Sequence, residues 1–110
     1  MIEKNIKAGY LLDFYGGLLS ERRKNVTDMY YNSDMSLSEI SEELGISRQA
    51  VREIIVRASA ELALYEEKLG MAEKFRTVKE KAGTVAALAR EIGNEEIARL
   101  ADGISEAIER

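Results

Sequence analysis

The 110-residue chain contains no cysteine, no histidine and no proline, and aromatic residues make up only 6% of it. Without Cys and His there is no thiol nucleophile, no imidazole base, no disulfide, no zinc finger and no haem ligation through either residue. The missing thiols are compatible with a reducing cytosol. What remains is dominated by Ala, Leu, Glu, Lys, Arg and Ile, the mixture that helices tolerate best. An all-α fold is therefore expected. No apolar run approaches the roughly 18 residues needed to cross a bilayer. Residues 1–7 hold Glu3 and Lys4 where a secretion signal has a basic segment followed by an apolar one. A cytoplasmic chain without membrane insertion is the expectation. Paired acids such as Glu42 with Glu43 and Glu66 with Glu67 are adjacent on helices and diverge, so neither a metal site, a cofactor nor an enzyme is expected.

The net charge of −4 runs against nucleic-acid binding, because Lys and Arg neutralising phosphates supply most non-specific affinity. Its distribution is more informative. Arg22, Arg23, Lys24, Arg48, Arg52 and Arg57 cluster in the first 60 residues, where charge is nearly balanced, and the acidic excess lies from Glu61 onward.

Apolar spacing predicts a chain of helices. The first, from Asn5 to about Leu19, places Ile6, Tyr10, Leu11, Phe14 and Leu18 on one face and is loosened by Gly16 and Gly17. Ser20 caps a second helix through Val26, Met29 and Tyr30, which stops in Asn32-Ser33-Asp34. Tyr30 and Tyr31, about 100° apart on that helix, suit packing better than base stacking. Ser36 with Glu39 forms a capping box before a short helix Leu37–Leu44, ended by Gly45. Ser47 caps a long helix from Arg48 to about Leu69, with Val51, Ile54, Ile55, Ala58 and Leu62 inward. Gly70 interrupts it. A seam through Tyr65, Leu69, Ala72, Phe75, Val78, Ala82, Val85, Ala89 and Ile92 then calls for a partner helix. After Gly93-Asn94, a last amphipathic helix over Glu95–Glu109 runs through Ile97, Leu100, Ala101, Ile104 and Ile108.

The window LSEISEELGISRQAVREIIV, Leu37 to Val56, joins two helical patterns by a turn of about three residues. That is the layout of a helix-turn-helix. Steep crossing requires a small residue at the contact, here Ser41, and a turn residue tolerant of positive φ, here Gly45. Ile40, Leu44, Ile46, Val51 and Ile54 would close the core, leaving Arg48, Gln49, Arg52 and Glu53 outside. In a major groove, guanidinium pairs with guanine and carboxamide with adenine. Ser47 can donate to a phosphate. Arg57, Arg22, Arg23 and Lys24 suit backbone contacts, which orient without reading sequence. The alternative for Arg48, Arg52 and Arg57 is ordinary ion pairing with Glu53, Glu61 and neighbouring carboxylates.

From LSERRKNVTDMYY through SLSEISEELGISRQAVREIIVRA, the chain resembles region four of bacterial sigma factors. Together with YLLDFYGGLLSE upstream and LYEEKL downstream, it is similar to the YlxM family of small bacterial proteins. The likeness covers most of the first 75 residues, with SRQAV and LLDFYGGLL its most specific parts, and fades from Thr77. It implies a sigma-like helix-turn-helix fold, binding to double-stranded DNA, and a regulatory or accessory part in the signal recognition particle pathway, with that particle's components as partners. No GxxxxGK phosphate loop is present, so any part in that pathway is an assisting one. The competing class is a helical interaction module that grips polymerase or a targeting component without reading DNA.

The expected organisation is a helix-turn-helix domain over 1–70 and a helical extension over 71–110. The extension either packs on the same unit or forms the interface of a homodimer, the commonest kind of oligomer.

Overall fold

The protein, as a computed structural model, is described for residues 6–109 and divides into two compact units, one ending at Leu69 and the other beginning at Gly70. Its described residues form helices and turns only: α1 Ile6–Tyr15, a 3-10 turn Gly16–Leu18, α2 Glu21–Tyr31, α3 Leu37–Leu44, α4 Arg48–Leu69, α5 Met71–Glu91 and α6 Glu95–Glu109. Local chemistry sets most boundaries. The Ser20 hydroxyl accepts from the Arg23 amide at 3.3 Å and starts α2. The Asn94 carboxamide oxygen accepts from the Ile97 amide at 3.1 Å and starts α6. Each such cap satisfies a backbone N–H that the helix itself leaves orphaned. Gly70, at φ 60°, breaks the chain between α4 and α5 in a backbone conformation that a side chain would strain.

In the first unit α4 is the axis. Val51, Ile55, Ala58 and Leu62 are fully buried along it, at intervals of four, three and four that keep one stripe inward. Against this stripe pack α1, α2 and α3. The centre of the core is Val26, Tyr30, Ile40, Val51 and Ile55, with Met29, Leu37, Leu44, Ile46 and Ile54 around it. Burying each large aliphatic side chain contributes about 1.5–3 kcal/mol. Tyr30 is buried, and its ring meets that of half-buried Tyr31 edge-on at 5.1 Å, so both aromatics serve packing.

The first helix sits one residue round from its expected orientation. Ala8, Leu11, Leu12, Tyr15 and Leu19 are buried, whereas Tyr10 and Leu18 are exposed. The segment is apolar nearly all round, so spacing alone does not set its phase; exposed Asp13, hydrogen-bonded to the Asn32 amide at 3.2 Å, marks the outer side. The expected start at Asn5 and the inward Ile6 lie outside the described residues and side chains.

Polar contacts pin the start of the chain to α4. The Tyr15 hydroxyl donates to Glu66 at 2.6 Å, Arg23 donates to Glu61 at 2.8 Å, and the Tyr65 hydroxyl donates to the second Glu61 oxygen at 3.2 Å. Burial first, and then the Glu61 bond and charge, raise the Tyr65 phenol above its ordinary value of 10.0.

The second unit is an antiparallel pair, α5 against α6, closed through alanine. Ala82, Ala86, Ala89, Ala98 and Ala101 are its buried residues along the contact. Arg90 pairs with Asp102 and Lys79 with Glu109 between the two helices. The expected seam sets Val78, Val85 and Ile92 in line with the alanines toward a partner helix; against α6 the alanines are buried, whereas these three are exposed, Ile92 most of all, and so are Ile97, Leu100 and Ile104 of α6. Small side chains let two helix backbones approach closely. Close approach turns the larger residues out to the flank.

Candidate nucleic-acid interface

The site is built around the turn from α3 into α4. The Ser36 hydroxyl accepts from the Glu39 amide at 3.0 Å, and the Glu39 carboxylate accepts from the Ser36 amide at 3.1 Å, which closes the capping box. Gly45 takes φ 68° and ψ 33°, a left-handed C-cap that turns the chain sharply. Within the turn the Ser41 hydroxyl donates to the Ile46 carbonyl at 2.5 Å. So Ser41 is more than small: it also holds the turn closed. The Ser47 hydroxyl accepts from the Ala50 amide at 3.0 Å and opens α4.

From that start, Ser47, Arg48, Gln49, Arg52, Glu53 and Arg57 are all exposed. At about 100° per residue, Gln49 and Glu53 lie on the side of α4 opposite the buried Val51, Ile55 and Ala58, and Arg52 lies on the flank, about a quarter-turn from that stripe. Among the described residues no hydrogen bond or ion pair engages the side chains of Arg48, Gln49 or Arg52. Arg48 stands nearer to α3 and borders an open cleft of about 440 Å³ shared with Tyr30 and the start of α3, Ser36 to Glu39. Arg57 donates to Glu53 at 3.0 Å, one turn apart, with both side chains more than half exposed. Such a pair is worth about 0.3–0.5 kcal/mol and yields readily to a stronger partner.

The basic trio on α2 is divided by its surroundings. Arg22 and Lys24 are exposed, with no hydrogen bond or ion pair among the described residues. Arg23 is half-buried and committed to Glu61, so it braces α2 on α4. The carboxylate that the sequence offers to Arg57 is therefore taken by a residue 38 positions away. One residue on the outer face escapes a reading based on polar chemistry. Val56 is 43% exposed, one turn beyond Arg52 and two beyond Gln49. An aliphatic group there suits contact with a thymine methyl. The signal was in the spacing, since Val56 falls outside the inward set of Val51, Ile55, Ala58 and Leu62.

Charge around the site is local. Residues 48–57 hold three arginines against one glutamate, whereas the whole unit up to Leu69 holds nine basic residues against twelve acidic. The N-terminal end of α4 adds the positive pole of a 22-residue helix. Among the described residues no group of acidic side chains is placed to hold a metal ion, and no helix is long and apolar enough to cross a membrane.

Comparison with known proteins agrees with this architecture. A UPF0122 protein of Shouchella clausii is 37% identical over 110 residues, covering 100% of this chain and 98% of its own. One of Bacillus cereus is 44% identical over 96 residues, covering 87% and 84%. One of Clostridium kluyveri is 47% identical over 79 residues, covering 72% and 71%. The family described as "UPF0122: Putative helix-turn-helix protein, YlxM / p13 like" matches residues 2–100, so the likeness runs past Thr77 into α6. With its capped α3, left-handed Gly45 and long α4, the chain belongs to this helix-turn-helix family.

Proposed function

We propose that the unit ending at Leu69 is a sequence-directed binder of double-stranded DNA and acts as a regulator. The observation that carries the reading is the combination of Arg48, Gln49 and Arg52, exposed and without hydrogen-bond or ion-pair partners among the described residues, on the first turns of a helix whose buried stripe is the tightest part of the core. A rigid helix presenting free guanidinium and carboxamide groups has the form of a major-groove reader. Gln49 and Arg52 contact base edges, Val56 meets a thymine methyl, and Glu53 accepts from a cytosine amino group once Arg57 leaves it for a phosphate. Ser47 and Arg48, near the helix start, hold the backbone, with Arg22 and Lys24 as outlying phosphate contacts. No residue of this set implies catalysis.

The resemblance to YlxM proteins supports reading the regulated process as the signal recognition particle pathway, with this chain in the cytoplasm and acting beside its components. Selection from a random DNA library, followed by a salt titration on the enriched site, tests the reading. The expected result is one enriched motif and an affinity that falls steeply with salt, because bound phosphates release counterions. If no motif is enriched and affinity for any duplex stays immeasurable at low salt, the DNA reading is wrong and the fold serves protein contact.

A further inference from the structure

We propose that the α5–α6 unit is half of a four-helix bundle and that a second copy of this chain completes it, each α5 lying on the partner's α6. Between themselves the two helices bury only alanines, while Leu88, Ile92 and Leu100 remain 57%, 77% and 67% exposed, with Val85, Ile97 and Ile104 nearly half exposed. These six residues share one side of the pair. At about 100° per residue, they fall on the flank opposite the Arg90–Asp102 ion pair on both helices. Together they present on the order of 600 Å² of aliphatic surface per copy, against about 800 Å² per partner in a standard interface. That is the upper end of the apolar patches that soluble monomers leave exposed, and patches of that size are often functional. The unit begins only at Gly70, and chains of about 40 residues cannot bury enough of their own surface to stand alone.

Charge selects the occupant. Five basic and three acidic residues line α5, whereas one basic and five acidic line α6. A second copy related by a two-fold axis along the hairpin sets each basic helix on an acidic one, with neighbours antiparallel. The Arg90–Asp102 and Lys79–Glu109 pairs fix the register of the hairpin. Leu88 of one copy then sits within about a turn of Leu100 of the other. The proposal goes beyond the DNA reading and does not depend on it.

The test is sedimentation equilibrium of the full chain without DNA, with helicity followed by circular dichroism. Wild type should have twice the 12.3 kDa chain mass at micromolar concentration. Leu88→Lys and Leu100→Glu should each be monomeric and helical. Mixed in equal amounts they should dimerise again, since the mixed dimer unites the two charges at one contact and restores both leucines at the other. A monomeric wild type at 100 μM overturns the proposal, as does either variant remaining dimeric. If each variant is helical and the mixture stays monomeric, the pairing of α5 with the partner's α6 is wrong. Should a charged variant lose helicity, Leu88→Ala and Leu100→Ala replace it. These are expected to weaken the dimer at least tenfold, and unchanged dimerisation overturns the proposal in the same way.

Discussion

Replacing Arg52 and Arg23 separately by Ala separates a groove contact from a structural brace. Arg52 is exposed, with no hydrogen bond or ion pair among the described residues, so R52A breaks no polar interaction seen there. It also places the best helix former in a helix. The melting temperature should stay within about a degree. Against the selected DNA site the cost should be about 1–3 kcal/mol, the worth of a bidentate base contact, which is roughly 5- to 150-fold in Kd. Arg23 behaves in the opposite way. Its guanidinium donates to Glu61 at 2.8 Å with side chains 35% and 25% exposed, and Glu61 also accepts from Tyr65. R23A leaves that carboxylate half-buried without its cation and should cost about 1 kcal/mol of stability, a few degrees in a unit of this size. Fluorescence anisotropy with labelled duplex and thermal circular dichroism read the two quantities independently. If R23A weakens DNA binding as much as R52A while leaving the melt unchanged, the division of roles drawn from the geometry is refuted.

Three further outcomes follow from the same contacts. Thr27 is fully buried on α2 and its hydroxyl finds no hydrogen-bond partner among the described residues; Thr27→Val removes that desolvated oxygen at constant shape and should stabilise the chain by about 1 kcal/mol in a denaturant melt. Gly45→Ala meets no neighbouring atom, yet it forces a side chain into φ 68°; it should cost about 1–2 kcal/mol from backbone strain alone and weaken DNA binding no more than stability loss explains. The Tyr65 phenol is held above 10.0, so the folded state keeps that proton longer than the unfolded chain. Its contribution is complete below pH 10 and is lost as pH rises through the raised folded value. The difference in phenolate absorbance between wild type and Tyr65→Phe should show a transition above pH 10, and a transition at or below 10 would contradict the cause assigned.

The sequence by itself determined the element boundaries. Ser20, the Ser36–Glu39 box, Gly45, Ser47, Gly70 and Asn94 act over one turn of chain, and interactions that short are complete before any helix meets another. The exposure of Ser47, Arg48, Gln49, Arg52 and Glu53 was legible as well, because none of them falls in the aliphatic stripe that α4 buries. Tertiary structure decided three things that spacing leaves open. It chose which side of the nearly all-apolar α1 is buried, because periodicity gives the interval of a buried stripe without its phase. It joined α5 to α6 through alanines and left the larger aliphatics outside, a choice governed by how closely two backbones approach. It also gave Glu61 to Arg23 across 38 residues and divided the basic trio, since partners that far apart in sequence are assigned only when α2 comes to rest on α4.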